Sequence, residues 1–196
     1  MELVFATNNK HKVREISDLL DGDFKITGLS DLNITEDIPE DAETLEENAL
    51  FKARYVHGKT GMNVFADDTG LEVTALGGAP GVWSARYAGE NKSFDDNIDK
   101  LLREMQGATD RSARFRTVIA LILDRKEYLF EGIVEGEIIT ERKGTGGFGY
   151  DPVFRATGSD KTFAEIPLQE KNLISHRARA MRKLIAFLKG SANNRH

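Results

Sequence analysis

The sequence contains no cysteine, which excludes disulfide bonds and zinc sites built on thiolates. It also lacks any apolar run close to the roughly 20 residues that a membrane-spanning helix needs. No positively charged segment precedes an apolar stretch near the N-terminus, so the sequence does not resemble a secretory signal. From these absences we expect a cytoplasmic protein that makes no contact with membranes.

An excess of basic residues is lacking as well, because 27 lysines and arginines face 32 aspartates and glutamates, for a net charge of −5. Surfaces that bind nucleic acid are normally basic, so we expect no nucleic-acid partner. A local cluster of lysines can still attract a small anionic substrate.

The 196 residues, of which 40% are hydrophobic, are enough for one domain or for one domain with two lobes. Short apolar runs alternate with amphipathic helical patterns, which predicts an α/β domain with a mixed sheet. We expect this domain to cover residues 1–190 and the tail 191–196 to be disordered. The predicted strands are 3–6, 24–27, 63–66 and a hairpin of 113–123 with 128–139, and the predicted helices begin near Asn9, Thr44, residue 93 and Ser175.

Capping residues and glycines predict where the first two helices begin and end. Val13 belongs to the expected inward face of the first helix, and Gly22 is its expected end. Thr44 and Glu47 form a capping box at the start of the second helix, which Gly58 is expected to end.

The segment from Gly144 to Pro152 has four glycines in its first six residues. Such a backbone can approach a ligand closely and direct several N–H groups at it. Phe148 and Tyr150 interrupt the glycines, which favours a binding loop with an aromatic platform over a flexible linker. The alternative is a tight structural turn. A Walker A loop is excluded because no Gly-Lys-Ser/Thr follows.

The segment Thr7–Lys12 follows the first strand and opens a helix. Free N–H groups and the helix dipole favour an anion at such a place, and Lys10 and Lys12 add positive charge. In the alternative interpretation, Asn8 or Asn9 only caps the helix and the lysines are solvated.

Asp67 and Asp68 are expected to end the third strand. Neighbouring carboxylates are good oxygen ligands for Mg²⁺, and side chains alternate along a strand, so only one of the two faces a given cleft. The alternative is turn chemistry, for which Asp-Asp-Thr-Gly is also suitable.

Ser175 is an expected N-cap of the last helix. The positive charges of His176 and Arg177 oppose the helix dipole there, which suggests another use, such as donating a hydrogen bond to the keto oxygen of a purine.

These four segments, in this order and with Glu47-Asn-Ala49 between the first two, resemble the inosine/xanthosine triphosphate pyrophosphatase family from Leu3 to about Leu188. The resemblance implies an elongated two-lobed fold of the ITPase/Maf-like type, with a nucleotide cleft between the lobes and the hairpin in one lobe. It also implies Mg²⁺-dependent hydrolysis of ITP, dITP and XTP to the monophosphate and pyrophosphate. It further implies a homodimer, for which the loop 77–91 is a candidate surface.

By the same resemblance, Asp68 is the general base and a metal ligand, and Glu40 is a second metal ligand. Asp41 and Glu43 remain alternatives to Glu40 because the glycine often found after this glutamate is absent, and Glu47 is a lesser candidate. The implied substrate-binding residues are Thr7, Asn8, Asn9, Lys10, His11, Lys12, Lys52, Thr69, Phe148, Gly149, Tyr150, Asp151, Lys171, His176 and Arg177.

Two rival functions remain at this point. A Maf-like pyrophosphatase with another base preference is disfavoured by the Ser-His-Arg and Gly-Phe-Gly-Tyr-Asp motifs. A non-enzymatic module that binds nucleotides or nucleic acid is disfavoured by the acidic balance and the paired aspartates.

Overall fold

The computed structural model describes residues 1–17, 19–20, 24–91 and 93–193. They form the predicted mixed α/β fold around a seven-stranded sheet in the order β2-β1-β3-β5-β6-β7, with β4 paired to β3. Strand β1 is parallel to both β2 and β3, whereas β4 is antiparallel to β3 and β7 is antiparallel to β6. The elements are β1 Glu2–Phe5, α1 Lys10–Ser17, β2 Lys25–Gly28, α2 Leu45–Thr60, β3 Val64–Val73, β4 Pro80–Gly81, α3 Phe94–Glu104, β5 Ser112–Leu123, β6 Lys126–Ile138, β7 Phe154–Ala156, α4 Leu168–Ile174 and α5 His176–Asn193.

The chain divides into two compact units. Unit 1 comprises Met1–Asp68, Thr117–Gly132 and Arg177–His196, and unit 2 comprises Thr69–Arg116 and Ile133–His176. The predicted β5–β6 hairpin is confirmed, but the expectation that it belongs to one lobe is wrong. Its strands have 12 and 13 residues, which is long enough for each to contribute one end to each unit.

The core of unit 1 packs the sheet against α5. Phe5 and Phe65 stack with their ring centroids 4.5 Å apart, and Met181 and Leu184 on α5 are fully buried. The prediction that Val13 faces inward is wrong, since 39% of it is exposed. Helix α1 buries Glu15 instead, which has an ion-pair partner in the interior.

Helix α2 begins as predicted and ends later than predicted. Thr44 Oγ1 accepts a hydrogen bond from Glu47 N at 3.2 Å, which confirms Thr44 as the N-cap, and the Thr44 hydroxyl donates to Glu47 Oε2 at 3.0 Å. The expected end at Gly58 is wrong, because the helix continues to Thr60. Gly61 ends it with a left-handed φ of 67° while its N–H donates to His57 O, a conformation that glycine adopts without strain. The expected end of α1 at Gly22 lies outside the described residues.

Strand β3 does not end before the paired aspartates. It runs from Val64 to Val73, so the prediction that Asp67 and Asp68 terminate it is wrong. The strand continues because Gly70 leaves room for β4, since a Cβ on Gly70 would lie 2.6 Å from the carbonyl oxygen of Gly81. Both aspartates are therefore held by strand backbone.

The core of unit 2 is rich in aromatic side chains. Phe115 packs edge-on against Phe154 at 4.6 Å, and Phe163 lies parallel to Phe115 at 6.1 Å. Strands β4 and β7 and helix α4 in this unit were not predicted from the sequence. Of the predicted disordered tail, residues 191–193 belong to α5, and residues 194–196 lie outside the described part of the chain. Among the described residues, no helix is long and apolar enough to cross a membrane.

Candidate active site

The loop between β1 and α1 is organised by Asn9. Its Oδ1 accepts hydrogen bonds from His11 N at 2.9 Å and Lys12 N at 3.3 Å, and Asn9 N donates to Thr7 Oγ1 at 3.2 Å. Asn9 therefore caps α1, as the alternative interpretation of this segment expected. Asn8 is exposed on this loop, with Nδ2 3.4 Å from Glu36 O.

Lys12 is the lysine of this loop that turns towards the sheet. Its Nζ lies 3.1 Å from Asp67 Oδ1 on β3, and 13% of its side chain is exposed, whereas Lys10 and His11 are exposed. Burial lowers the pKa of Lys12, and the charge of Asp67 partly offsets this effect. A positive charge therefore reaches β3 from the helix that follows β1.

Asp67 and Arg177 belong to a chain of four charges in unit 1, of which three are buried. Arg177 Nε donates to Asp67 Oδ2 at 3.1 Å, and Arg177 Nη1 donates to Glu15. At most 5% of each of these three side chains is exposed. Burial alone would raise the pKa of Asp67, but Lys12 and Arg177 outweigh it and hold this pKa well below its usual range. The chain of Glu15, Arg177, Asp67 and Lys12 thus alternates in sign.

Glu15 is a site residue that the sequence reasoning missed. It lies three residues after Lys12, so both project from one face of α1. That spacing is a signal, but it does not identify Arg177, 162 positions away, as the partner of Glu15.

Asp68 faces a second set of partners, as the alternation of side chains along β3 requires. Asn48 Nδ2 donates to Asp68 Oδ2 at 3.0 Å, and Lys52 Nζ lies 3.6 Å from Asp68 Oδ1. Both partners come from one face of α2, because they are four residues apart. Burial raises the pKa of Asp68, and the charges of Lys52 and Lys12 partly offset this rise.

Glu40 reaches the same lysine. Lys52 Nζ donates to Glu40 Oε1 and to the carbonyl oxygen of Asp67, each at 2.6 Å. Burial alone would lower the pKa of Lys52, but the charges of Asp68 and Glu40 outweigh it and raise this pKa. Asp41 and Glu43, the alternatives to Glu40, are exposed. The geometry therefore favours Glu40 as the companion of Asp68, and Glu47 is already used in the cap of α2.

Two carboxylates, from Glu40 and Asp68, thus converge on one cation. Within the described part of the chain, no group of three or more acidic or histidine side chains could hold a metal ion. Mg²⁺ is commonly bound by one or two carboxylates together with substrate phosphates, so this pair fits such an ion.

In unit 2, Asp151 organises the glycine-rich loop. Its Oδ2 accepts hydrogen bonds from Phe148 N at 2.9 Å and from Lys171 Nζ at 2.6 Å. Gly147 adopts φ 67°, and a Cβ there would lie 2.0 Å from this carboxylate oxygen. The glycine is required so that the backbone can close around Asp151.

The ring of Phe148 remains half-buried above this ion pair. Lys171 Nζ lies 5.2 Å from its centroid, and the ring of Phe94 lies 6.0 Å away. Lys171 belongs to α4, and 3% of its side chain is exposed. The structure therefore gives Asp151 and Lys171 a role in holding the loop that presents Phe148.

The remaining predicted residues of unit 2 divide into buried and accessible ones. His176 stacks on Phe115 with centroids 4.5 Å apart and planes 14° apart, and 3% of it is exposed. Tyr150 is a core residue whose hydroxyl donates to Ser84 O at 2.8 Å. Thr69 and Gly149 are half-buried.

Comparison with known proteins identifies the family. A profile of the Ham1 family matches residues 3–187 of the chain. The chain belongs to the Ham1 family. The dITP/XTP pyrophosphatases of Flavobacterium johnsoniae and Flavobacterium psychrophilum are 55% and 54% identical to it, over 96% of this chain and 98% and 100% of the relatives. The resemblance inferred from the four motifs is thereby confirmed.

Solved Ham1 structures share the fold. The Ham1 protein of Staphylococcus aureus is 43% identical with a TM-score of 0.89, covering 97% of this chain and all of that one. The HAM1 protein of Coxiella burnetii is 40% identical with a TM-score of 0.89, covering 97% of this chain and 99% of that one.

Each of the two clusters of this Ham1-family chain suits a different chemical group. In unit 1, the buried Lys52, the partly buried Lys12 and two carboxylates can bind phosphate oxygens and a divalent cation. In unit 2, the half-buried ring of Phe148 offers a stacking face, and each such stack contributes about 1–3 kcal/mol per base.

Proposed function

We propose that this chain hydrolyses the non-standard purine nucleoside triphosphates ITP, dITP and XTP to the monophosphate and pyrophosphate. The observation that carries the proposal is the cluster in unit 1, where Lys52 contacts Glu40 and Asp68, and Lys12 contacts the neighbouring Asp67. Family membership supports the same activity, since the relatives are named dITP/XTP pyrophosphatases.

The phosphate end of the substrate belongs to unit 1 in this proposal. Glu40 and Asp68 would hold Mg²⁺. The bound ion would lower the pKa of a water molecule bound to it and offset negative charge on phosphate oxygens. Lys12 and Lys52 add positive charge that stabilises the departing pyrophosphate.

Asp68 is the proposed general base. The oxygen of a water molecule forms a bond to the α-phosphorus, the bond from this phosphorus to the bridging oxygen breaks, and pyrophosphate leaves with the electron pair. Asp68 takes the proton of the attacking water. Asn48 orients the carboxylate through its hydrogen bond to Oδ2.

Recognition of the base is assigned to unit 2. Phe148 is the proposed stacking platform, and His176 is the proposed donor to the 6-keto oxygen, with its ring plane set by Phe115. A donor at that position meets the amino group of adenine badly, and a buried polar group left without its partner can reject a substrate by about 10⁴–10⁵. This argument rejects ATP, whereas guanine keeps the keto oxygen.

Arg177 has a different role in the proposal from the one that the sequence suggested. Its guanidinium lies between Glu15 and Asp67, so we assign it to positioning Asp67 and, through it, Lys12.

The proposal extends to the setting of the enzyme. We propose that residues 1–190 act as one catalytic domain and that the chain forms a homodimer through the loop 77–91. On this loop Trp83 is 49% exposed, and the guanidinium of Arg86 lies 4.8 Å from the centroid of the Trp83 ring. A cytoplasmic location suits a substrate from the nucleotide pool, and the net charge of −5 supports the absence of a nucleic-acid partner.

Release of pyrophosphate from ITP, XTP, GTP and ATP, measured with Mg²⁺ and with a chelator, tests the proposal. We expect fast release from ITP and XTP that the chelator abolishes, and slow release from GTP and ATP. Equal rates on all four nucleotides would contradict the role of His176 but keep the chemistry. No release from any nucleotide would refute the enzyme and favour a binding module.

A further inference from the structure

The ammonium group of Lys52 lies where the proposed metal ligands of unit 1 converge. Its Nζ is 2.6 Å from Glu40 Oε1, 2.6 Å from the carbonyl oxygen of Asp67 and 3.6 Å from Asp68 Oδ1. Only 7% of the Lys52 side chain is exposed. An internal cation thus contacts both carboxylates that Mg²⁺ would use.

The ammonium group and a divalent ion compete for these oxygens. Two like charges a few ångströms apart in a buried site repel strongly, so a metal ion that binds Glu40 and Asp68 must displace the ammonium. A displaced ammonium needs new partners, because a buried charge without compensation is highly unfavourable. The phosphates of a nucleoside triphosphate are anionic partners that a lysine on a four-carbon stem can reach by rotation.

We infer that Lys52 is a built-in counter-ion that keeps the metal site closed until a triphosphate arrives. In the nucleotide-free protein it holds Glu40 and Asp68 together in place of the metal. When phosphates draw the ammonium away, the carboxylates become available to the metal, so metal and substrate bind as a pair. The inference rests on the proposed function, since it assumes that Glu40 and Asp68 are the metal ligands.

Lys12 provides a matched control in the same unit. It is a partly buried lysine whose charge also acts on Asp68, but its Nζ contacts the carboxylate of Asp67. If Lys52 acted only through general positive charge, replacing either lysine would strengthen metal binding to a similar extent. If Lys52 occupies the site, its replacement must have much the larger effect.

Binding of Mn²⁺ to the nucleotide-free protein, followed by electron paramagnetic resonance, tests the inference without measuring turnover. We expect Lys52→Met to bind Mn²⁺ about tenfold or more tightly than the unchanged protein, because it removes the competing charge and keeps most of the apolar stem. Lys12→Met should change the affinity by less than about threefold, since Lys12 does not contact Glu40. Adding Glu40→Gln to Lys52→Met should abolish the gain, which locates the ion.

Equal affinity of the Lys52→Met variant and the unchanged protein would overturn the inference, as would an equal gain from Lys12→Met. Lys52→Gln keeps an N–H donor for Glu40 without the charge, and it carries the same comparison if the methionine variant does not fold. Pyrophosphate release by the unchanged protein separates the two ideas. Metal-dependent release without a gain in Lys52→Met refutes the counter-ion role alone, whereas absence of release refutes the proposed function.

Discussion

Removal of the buried guanidinium in Arg177→Met should destabilise the protein strongly. Arg177 is 1% exposed and joins Asp67 to Glu15, whose side chains are 0% and 5% exposed. Removing one partner of a buried ion pair costs about 3–5 kcal/mol, because the remaining charge stays buried without compensation. Asp67 keeps Lys12 at 3.1 Å, so we expect a loss of about 3 kcal/mol, the lower end of that range.

Urea unfolding at pH 7 measures this loss, and thermal unfolding checks it. For a chain of this length, about 3 kcal/mol corresponds to a fall of about 6–12 °C in the melting temperature. Arg54→Met is the control in the same unit, because Arg54 pairs with Glu127 at 2.7 Å on the surface with 58% and 39% of their side chains exposed. An exposed pair contributes at most about 1 kcal/mol.

The pH dependence separates lost charge compensation from lost packing. The depressed pKa of Asp67 contributes stability that is present above the pKa of an unfolded aspartate, about 3.9, and is lost as the pH falls towards the folded value. Arg177→Met removes part of this contribution, so the difference between the two proteins should be full above about pH 5 and shrink below about pH 4. A loss as small as that of Arg54→Met, or a difference that stays constant with pH, would refute the reasoning.

Two further predictions concern the reaction and the glycine-rich loop. Asp68→Asn should lower turnover about 10²–10⁴-fold or more. Circular dichroism should show an unchanged fold, because an asparagine oxygen can still accept the hydrogen bond from Asn48. Near-normal turnover would contradict the role of Asp68 as base. Gly147→Ala should lower the melting temperature further than Gly149→Ala. Both positions have a positive φ, which costs alanine about 1–2 kcal/mol of strain, but only at Gly147 would the new Cβ also lie 2.0 Å from Asp151. Equal losses would show that the loop can shift without cost.

The sequence predicted most of the elements that carry the site. The start of α2 at Thr44 was predictable because a helix cap depends on residues close together in the sequence. The long hairpin was predictable because its strands show a period of two. Asn9 was also recognisable as a capping residue from its place between a strand and a helix. The short strands β4 and β7 and the helix α4 were missed, since two, three and seven residues carry too little periodicity to detect.

Side-chain partners in the site were less predictable. Periodicity placed Val13 on the inner face of α1, but the helix is turned so that Glu15 is buried instead. That orientation is stable because Arg177, far along the chain, supplies a compensating charge. No local pattern contains this information.

The sequence by itself determined the α/β class, the family and the segments that carry the chemistry, because these depend on residue types at fixed local spacing. Only the tertiary structure decided which charge meets which. It paired Arg177 with Asp67 and Glu15, and it placed Lys52 against both Glu40 and Asp68. The physical reason is that a buried charge is stable only when an opposite charge lies close to it. In this protein, those opposite charges come from distant parts of the chain.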